Sequence, residues 1–96
     1  MTTISVPRLA GSREHAARIA QSLPDDLRGI SVLLEAGAVR SAAQSFADEL
    51  CKQILVIRQA DRLEVHSASA TFARYLNSSS NLREVADRIS IDVRPT

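Results

Sequence analysis

Two serines, Ser41 and Ser45, stand at the start of the segment AVRSAAQSFADELCKQIL, residues 38–55, in which apolar residues recur three and four apart. A serine at the start of a helix can accept hydrogen bonds from backbone N–H groups that have no partner within the helix. Ser41 and Gln44 have the spacing of a capping box, so the sequence predicts that Ser41 caps this helix.

Ser45 then falls in the first helical turn, where a phosphate would meet the positive end of the helix dipole. Phosphorylation would add about −1.5 to −2 charges there. Asp48 and Glu49 would repel this charge, and Arg40 would compensate part of it. Ser45 and Ser41 are therefore the candidate phosphorylation sites.

The exposed side of the same helix is a candidate surface for a protein partner. Gln44, Asp48 and Lys52 are each four residues apart, which places them along one stripe of a helix. With the residues before the helix, the predicted partner-binding set is Arg40, Ser41, Gln44, Ser45, Asp48 and Lys52.

The residue pattern gives little support for a metal site, a catalytic site or a phosphate-binding loop. His15, His66 and Cys51 fall on separate predicted elements, without the close ligand pairs of a metal site. Cys51 lies on an apolar helix face, which predicts a buried thiol, and the Asp25–Asp26 pair fits a solvated turn. The glycines form no phosphate-binding motif. We therefore expect no catalytic residues, no metal and no cofactor, and a protein that is not an enzyme.

Length and charge narrow the class of protein. The chain has 96 residues and a net charge of +1, which predicts a single domain, 1–96, with no general attraction to nucleic acid. Its arginines are interleaved with acids, and no apolar run approaches the roughly 18 residues that span a bilayer. The first 15 residues lack the pattern of a secretion signal. A cytoplasmic protein with neither nucleic acid nor membrane as partner is expected, and its oligomeric state is left open.

The hydrophobic pattern alternates between strand and helix periods. We predict strands at residues 3–7, 30–36, 61–67 and 89–93, and helices at 12–23, 41–57, 69–76 and 81–88. Ser12 is the expected N-cap of the first helix, and residues 77–80 are expected to form a turn. The apolar stripe of the second helix is expected to bury Phe46, Ile54 and Ile57, and the last helix to point Leu82 and Val85 inward. The second strand is nearly continuous in aliphatic residues, which is typical of a strand covered on both faces. The third strand alternates with polar residues and is expected near a sheet edge. The order predicts an α/β sandwich: about four strands in a mostly parallel or mixed sheet, backed by three to four helices.

The chain also resembles a known family. Ser12–Arg13 at the opening of a helix, followed by VLLEAGAVRSAAQSFADEL at 32–50, is similar to the STAS-like family of small bacterial domains of unassigned function. The resemblance covers about residues 12–90, and its most specific part is SFADEL at 45–50.

The wider STAS group includes anti-sigma-factor antagonists, so the resemblance implies a regulatory, non-enzymatic module with a sheet backed by helices. In those antagonists a partner kinase phosphorylates a serine or threonine at the start of the helix after the third strand, and the complex then breaks. Ser45, or else Ser41, occupies the corresponding place here. The antagonists usually carry Asp-Ser or Asp-Thr followed by Gly, whereas this chain has Ala43-Gln44-Ser45-Phe46. The resemblance further implies a GHKL-type ATPase or kinase as partner.

Two alternatives stay open at this point. The first is an inhibitor of phage or mobile-element type that blocks a host protein without a phosphoswitch. The second is a small nucleotide-binding domain that uses the N-terminus of the second helix.

Overall fold

A four-stranded parallel sheet is the frame of the molecule. The computed structural model describes residues 2–95, and within that range the sheet is built from β1 (Thr2–Ser5), β3 (Ser31–Glu35), β5 (Arg62–Ala68) and β6 (Ile89–Val93), in that spatial order. Each neighbouring pair is parallel. A separate two-stranded parallel ladder joins β2 (Leu9–Ala10) to β4 (Ser41–Ala42).

Helices connect the strands of the main sheet. Within residues 2–95 they are α1 (Arg13–Ala20), α2 (Gln44–Cys51), which continues as a π-helical segment (Lys52–Ile57), and α3 (Ala70–Leu82), followed by a 3-10 helix (Ala86–Arg88). The predicted α/β class, with a parallel sheet backed by helices, is confirmed.

The helices lie on one face of the sheet. Successive strands are added in one direction, and right-handed crossovers then place every connecting helix on the same side. Burial agrees with this arrangement. Ile4, Val32, Leu34, Leu63 and Val65 are buried under the helices, whereas the other face carries exposed or half-buried side chains such as Thr3, Leu33, Arg62 and His66.

This one-sided cover corrects two predictions about the strands. β3 was expected to be covered on both faces, but Leu33 and Glu35 are only half-buried because the second face of the sheet has no helix on it. β5 was expected near an edge, but it lies between β3 and β6. Its alternating polar residues reflect the open face of the sheet and not an edge position.

The core is aliphatic with two phenylalanines at its centre. Phe46 of α2 and Phe72 of α3 are fully buried, and their ring centroids lie 6.3 Å apart. The ring of His15 in α1 meets Phe46 edge-on at 5.8 Å. α2 thus packs between α1 and α3.

The front of α1 matches its prediction. Ser12 has an extended backbone, and its Oγ accepts a hydrogen bond from the His15 N–H at 3.1 Å, which is the geometry of an N-cap. The helix ends at Ala20, before the predicted end at residue 23, and Leu23 is still buried in the turn that follows.

The π-helical segment that follows α2 does not keep the apolar stripe that was predicted for a continuous α-helix over 41–57. Arg58 N–H donates to Gln53 O at 3.1 Å, a bond that spans five residues and belongs to a π-helix. The wider turn rotates later residues relative to an α-helix. Ile54 therefore stays buried, whereas Ile57, expected on the same apolar stripe, is 51% exposed.

The third helix is longer than predicted. Residues 77–80 were expected to form a turn, and residues 81–88 a separate capped helix, but α3 runs on to Leu82. The hydroxyl of Ser80 donates to Asn77 O at 3.0 Å, so this polar side chain is satisfied within the helix. Leu82, predicted to point inward, is 84% exposed, while Val85 is buried as expected.

The packing predicts a large effect at Phe46. Replacement Phe46→Ala should lower the free energy of unfolding by about 3–5 kcal/mol, because the side chain is fully buried against Phe72. Leu82→Ala is the matched control and should change stability by less than about 0.5 kcal/mol. Urea unfolding followed by circular dichroism measures both. Equal effects of the two substitutions would contradict the burial of Phe46 and the exposure of Leu82.

Candidate functional site

The predicted partner-binding residues belong to different elements, and all of them except Lys52 lie before α2 or in its first half. Arg40 precedes β4 and is exposed, and Ser41 is the first residue of β4. Gln44, Ser45 and Asp48 belong to α2, and Lys52 begins the π-helical segment.

Ser41 does not cap the helix, and this prediction was wrong. Its backbone is extended, because residues 41–42 pair with Leu9 and Ala10 of β2. The Ser41 N–H lies 3.2 Å from Arg8 O, and the helix begins only at Gln44. The short β2–β4 ladder therefore takes the residues that the capping-box spacing had assigned to the helix start.

The N-terminus of α2 is left without a side-chain cap. Ala43 is the N-cap residue, with φ −97° and ψ 150°, and its methyl group cannot accept a hydrogen bond. The first turn also carries no acidic residue. The positive end of the helix dipole at Gln44 and Ser45 is thus not balanced within α2.

Asp48 is the centre of an ion-pair network that joins α1, α2 and α3. Its carboxylate accepts hydrogen bonds from Arg83 Nε and Nη2, both at 2.8 Å, and from Arg13 Nη1 at 2.7 Å. The Ser79 hydroxyl donates to it at 2.6 Å. With its side chain 16% exposed, Asp48 is partly shielded from water, so its bonds with Arg83 and Ser79 are stronger than those of a fully exposed pair.

The network fixes the charge state of Asp48. The hydrogen bonds from Arg83, and then those from Ser79 and Arg13, hold the pKa of the Asp48 carboxyl well below its usual range. The same carboxylate raises the pKa of the Arg83 guanidinium. Asp48 is therefore not a free contact on the helix stripe but a carboxylate already shared by two arginines.

Glu49 extends this arrangement toward Lys52. It is a buried carboxylate that accepts from Gln53 Nε2 at 2.7 Å and lies 3.4 Å from Arg13 Nη1. Lys52 Nζ lies 3.7 Å from the Glu49 carboxylate. Lys52 is half-buried, and its charge is directed toward Glu49 as well as toward solvent.

A surface cleft of about 380 Å³ lies at the front of α2, between α1 and α3. It brings together the predicted residues Gln44, Ser45 and Asp48, whereas Arg40, Ser41 and Lys52 lie outside its lining. The lining residues are Arg13, Gln44, Ser45, Asp48, Ser78, Ser79, Leu82 and Arg83.

Sequence reasoning missed Arg13, Ser79 and Arg83 as parts of this site. Arg13 stood in the quoted Ser12–Arg13 motif but was given no partner. Ser79 and Arg83 were placed in a turn and a separate helix, so nothing indicated that they face Asp48. Recognising that α3 continues through residues 77–82 would have placed Ser79 on its buried side.

The other cysteine, histidine and acidic side chains form no second site among residues 2–95. Cys51 is buried, and burial raises the pKa of its thiol to about 11, so the neutral thiol is the stable form. Hydrogen bonds from Arg28 lower the pKa of the exposed Asp26 carboxyl to about 2. Across residues 2–95 no three His, Cys, Asp or Glu side chains come together as a metal site would require. Over the same range, every helix is too short or too polar to cross a bilayer.

The network makes the stability contributed by Asp48 dependent on pH. Because its pKa is depressed in the folded state, its contribution is present above the pKa of the unfolded chain, about 4, and is lost as pH falls through the folded-state value. Asp48→Asn should cost about 2 kcal/mol near neutral pH, and the difference from the unmodified chain should shrink as pH approaches about 2. Urea unfolding across this pH range measures it.

Asp92→Asn is the control for this experiment. Asp92 is exposed, and no ion pair to it is found among the described residues. Its substitution should have little effect at any pH. A cost of Asp48→Asn that stays constant down to acid pH would show that charge is not what the carboxylate contributes.

Comparison with known proteins gives no match. No protein-family model matches this chain. No curated protein and no solved structure matches it either.

Proposed function

We propose that this chain is a STAS-like protein-interaction module that docks a partner protein on the front of α2 and is switched by phosphorylation of Ser45. The observation that carries the proposal is the position of Ser45. It lies in the uncapped first turn of α2, in a cleft that is also lined by Arg13 and Arg83.

Helix-end chemistry supports Ser45 as the modified residue. A phosphate on Ser45 would lie near the backbone N–H groups of the first turn, where no side chain competes as a cap. Ser41 lies on a β-strand and lacks this helix-end environment. Ser45 is therefore preferred over Ser41 as the switch.

The charges around Ser45 are more favourable to a phosphate than the sequence alone suggested. Asp48 would repel a phosphate on Ser45, but two arginines already neutralise Asp48. Arg13 and Arg83 also line the cleft that Ser45 shares. A phosphate could compete with Asp48 for them, because both anions offer oxygens suited to a guanidinium group.

Such competition would alter the surface that a partner meets. Arg13 belongs to α1 and Arg83 follows α3, so their ion pairs with Asp48 connect the helices on both sides of α2. A phosphate that draws either arginine away changes both the charge and the side-chain arrangement of the groove. This provides a physical route from modification to release of a partner.

The partner class follows from the resemblance. The candidates are a GHKL-type ATPase or kinase, or an anti-sigma-like protein. The chain would meet this partner in the cytoplasm of a bacterium, as a bacterial or a phage protein. The partner would contact the accessible groups around the helix front, which are Arg40, Ser41, Gln44 and Ser45, with Asp48 beneath them and Lys52 at the far end of α2.

A second function is an inhibitor that binds a host protein permanently. The observation that favours it is the half-buried position of Ser45 beside Phe46, without the acid and glycine that usually flank the modified residue in antagonists. In that case the same helix front is a blocking surface, and Ser45 stays unmodified.

A charge substitution at Ser45 tests the switch. Ser45→Asp should reduce capture of the natural partner from host extract at least about tenfold, while Ser45→Ala retains it, because a negative charge at this position mimics part of the phosphate. Quantitative mass spectrometry of the captured proteins measures the loss. The same sample reports phosphate on Ser45 or Ser41.

Ser5→Asp is the matched control. Ser5 is exposed on β1, on the face of the sheet that carries no helix, so the same change in charge there should leave capture unchanged. Thermal unfolding verifies that each variant folds. Equal capture by Ser45→Asp and the unmodified chain would refute the phosphoswitch. A partner retained by every variant, with Ser45 unmodified, would favour the permanent inhibitor.

A further inference from the structure

A second cleft, of about 540 Å³, lies at the carboxyl edge of the sheet and is lined by three arginines from distant parts of the chain. Arg8 follows β1, Arg40 follows β3, and Arg94 follows β6. Gly37 and Ala38 complete the lining. In open α/β sheets, the carboxyl ends of parallel strands are the usual place for ligands.

The backbone around this cleft brings the arginines together. Arg40 N–H donates to Arg8 O at 2.9 Å, which joins the segments that follow β1 and β3. Ser67 has φ +60°, and the pairing of β5 with β6 shifts register between Val65 and Ala68. This bulge redirects the end of β6, where Arg94 N–H donates to Ala68 O at 2.9 Å.

The Arg94 guanidinium is held in place before any ligand binds. Its Nη1 donates to Gly37 O at 2.8 Å and its Nη2 to Val39 O at 3.0 Å. These bonds use two of its five N–H groups, and both acceptors are neutral carbonyls. The positive charge is therefore fixed in position but not neutralised.

Among the described residues, the three guanidinium groups have no acidic partner. Within residues 2–95, neither Arg8, Arg40 nor Arg94 forms an ion pair, in contrast with Arg13 and Arg83. The turn that bears Gly37 and Ala38 is closed by a bond from Val39 N–H to Ala36 O. No acceptor for the Gly37 or Ala38 N–H is found in the described part of the chain.

We infer that the cleft of Arg8, Arg40 and Arg94 binds an oxyanion of the phosphate class that carries at least two negative charges. Three guanidinium groups in one cleft, without an acidic partner among residues 2–95, favour an anion of multiple charge over a single carboxylate. The planar fork of arginine matches phosphate oxygens through paired N–H···O bonds. This inference goes beyond the proposed function and does not depend on it, since Arg8 and Arg94 lie outside the proposed partner surface and only Arg40 belongs to both.

Titration with inorganic pyrophosphate at low ionic strength tests the cleft. Calorimetry should give saturable binding with a dissociation constant of about 1 mM or tighter. The amide signals of Gly37 and Ala38 should shift in two-dimensional NMR spectra as pyrophosphate is added. Arg8→Ala and Arg94→Gln should each weaken binding by about tenfold or more.

Arg74→Ala is the control for general attraction between the protein and an anion. Arg74 is exposed on α3 and does not line the cleft, so its loss removes the same charge without removing a ligand. Circular dichroism verifies that each variant folds. An equal loss of binding in Arg74→Ala and Arg8→Ala would overturn the proposal, and so would the absence of saturable binding.

Parallel titrations identify the source of the phosphate. Tripolyphosphate and adenosine triphosphate present similar phosphate chains, so equal affinities assign recognition to the phosphates alone. Tighter binding of adenosine triphosphate by about tenfold would assign the cleft to a nucleotide. Both results support the anion site. Failure of these titrations leaves the Ser45 switch unaffected, because that experiment measures partner capture with changes at a different cleft.

Discussion

The burial of one face of a parallel sheet under α1, α2 and α3 determines where every functional group of this molecule lies. Parallel strands need long crossovers, and right-handed crossovers that advance in one direction place the helices on one side. α2 then occupies the middle of the helical layer and must bury Phe46 and Leu50 while its neighbours cover its flanks. Its N-terminus emerges in the groove between α1 and α3, which places Ser45 beside groups from both helices.

Asp48 connects the three packed helices through ion pairs and hydrogen bonds. A lone carboxylate in a groove between helices would be costly, because burial removes its water. Arg13, Arg83 and Ser79 replace that water with directed hydrogen bonds, and the carboxylate in turn fixes the position of both arginines. The interaction that joins the helices is therefore also the one that a new negative charge on Ser45 would disturb. Stability and the proposed regulation depend on the same set of bonds.

The sequence predicts the parts of this structure that depend on local pattern. Alternating or continuous aliphatic residues located the strands, Ser12 located the start of α1, and the helical spacing placed Phe46 in the core. The capping-box spacing at Ser41 failed because a distant strand, β2, pairs with that residue and keeps it extended. The serines at 78–80 indicated a turn, yet the Ser79 hydroxyl is satisfied by Asp48 and the Ser80 hydroxyl within α3.

The candidate sites were less predictable than the fold, because they depend on contacts between residues far apart in the chain. Gln44, Ser45 and Asp48 share a local helix and were found together. Their arginine partners come from α1 and from the residue after α3, and no local spacing indicates them. Arg8, Arg40 and Arg94 meet only because parallel strands bring their carboxyl ends to one edge and a bulge in β5 redirects the last strand.

The two proposed anion sites lie at consecutive points of the chain, so they are expected to influence each other. Arg40 lines the arginine cleft, and Ser45, which follows it after β4 and the Ala43 cap, lines the cleft at the front of α2. An oxyanion held by Arg40 would lower the positive potential ahead of α2 and make a second negative charge on Ser45 less favourable. Thermodynamic linkage requires the reverse effect to be equal. A phosphate on Ser45 would therefore lower the affinity of the arginine cleft for the oxyanion by the same factor. Salt would reduce this coupling, because charges separated by more than the Debye length of about 8 Å at physiological ionic strength are largely screened. Anion binding in the arginine cleft and modification of Ser45 would then oppose one another.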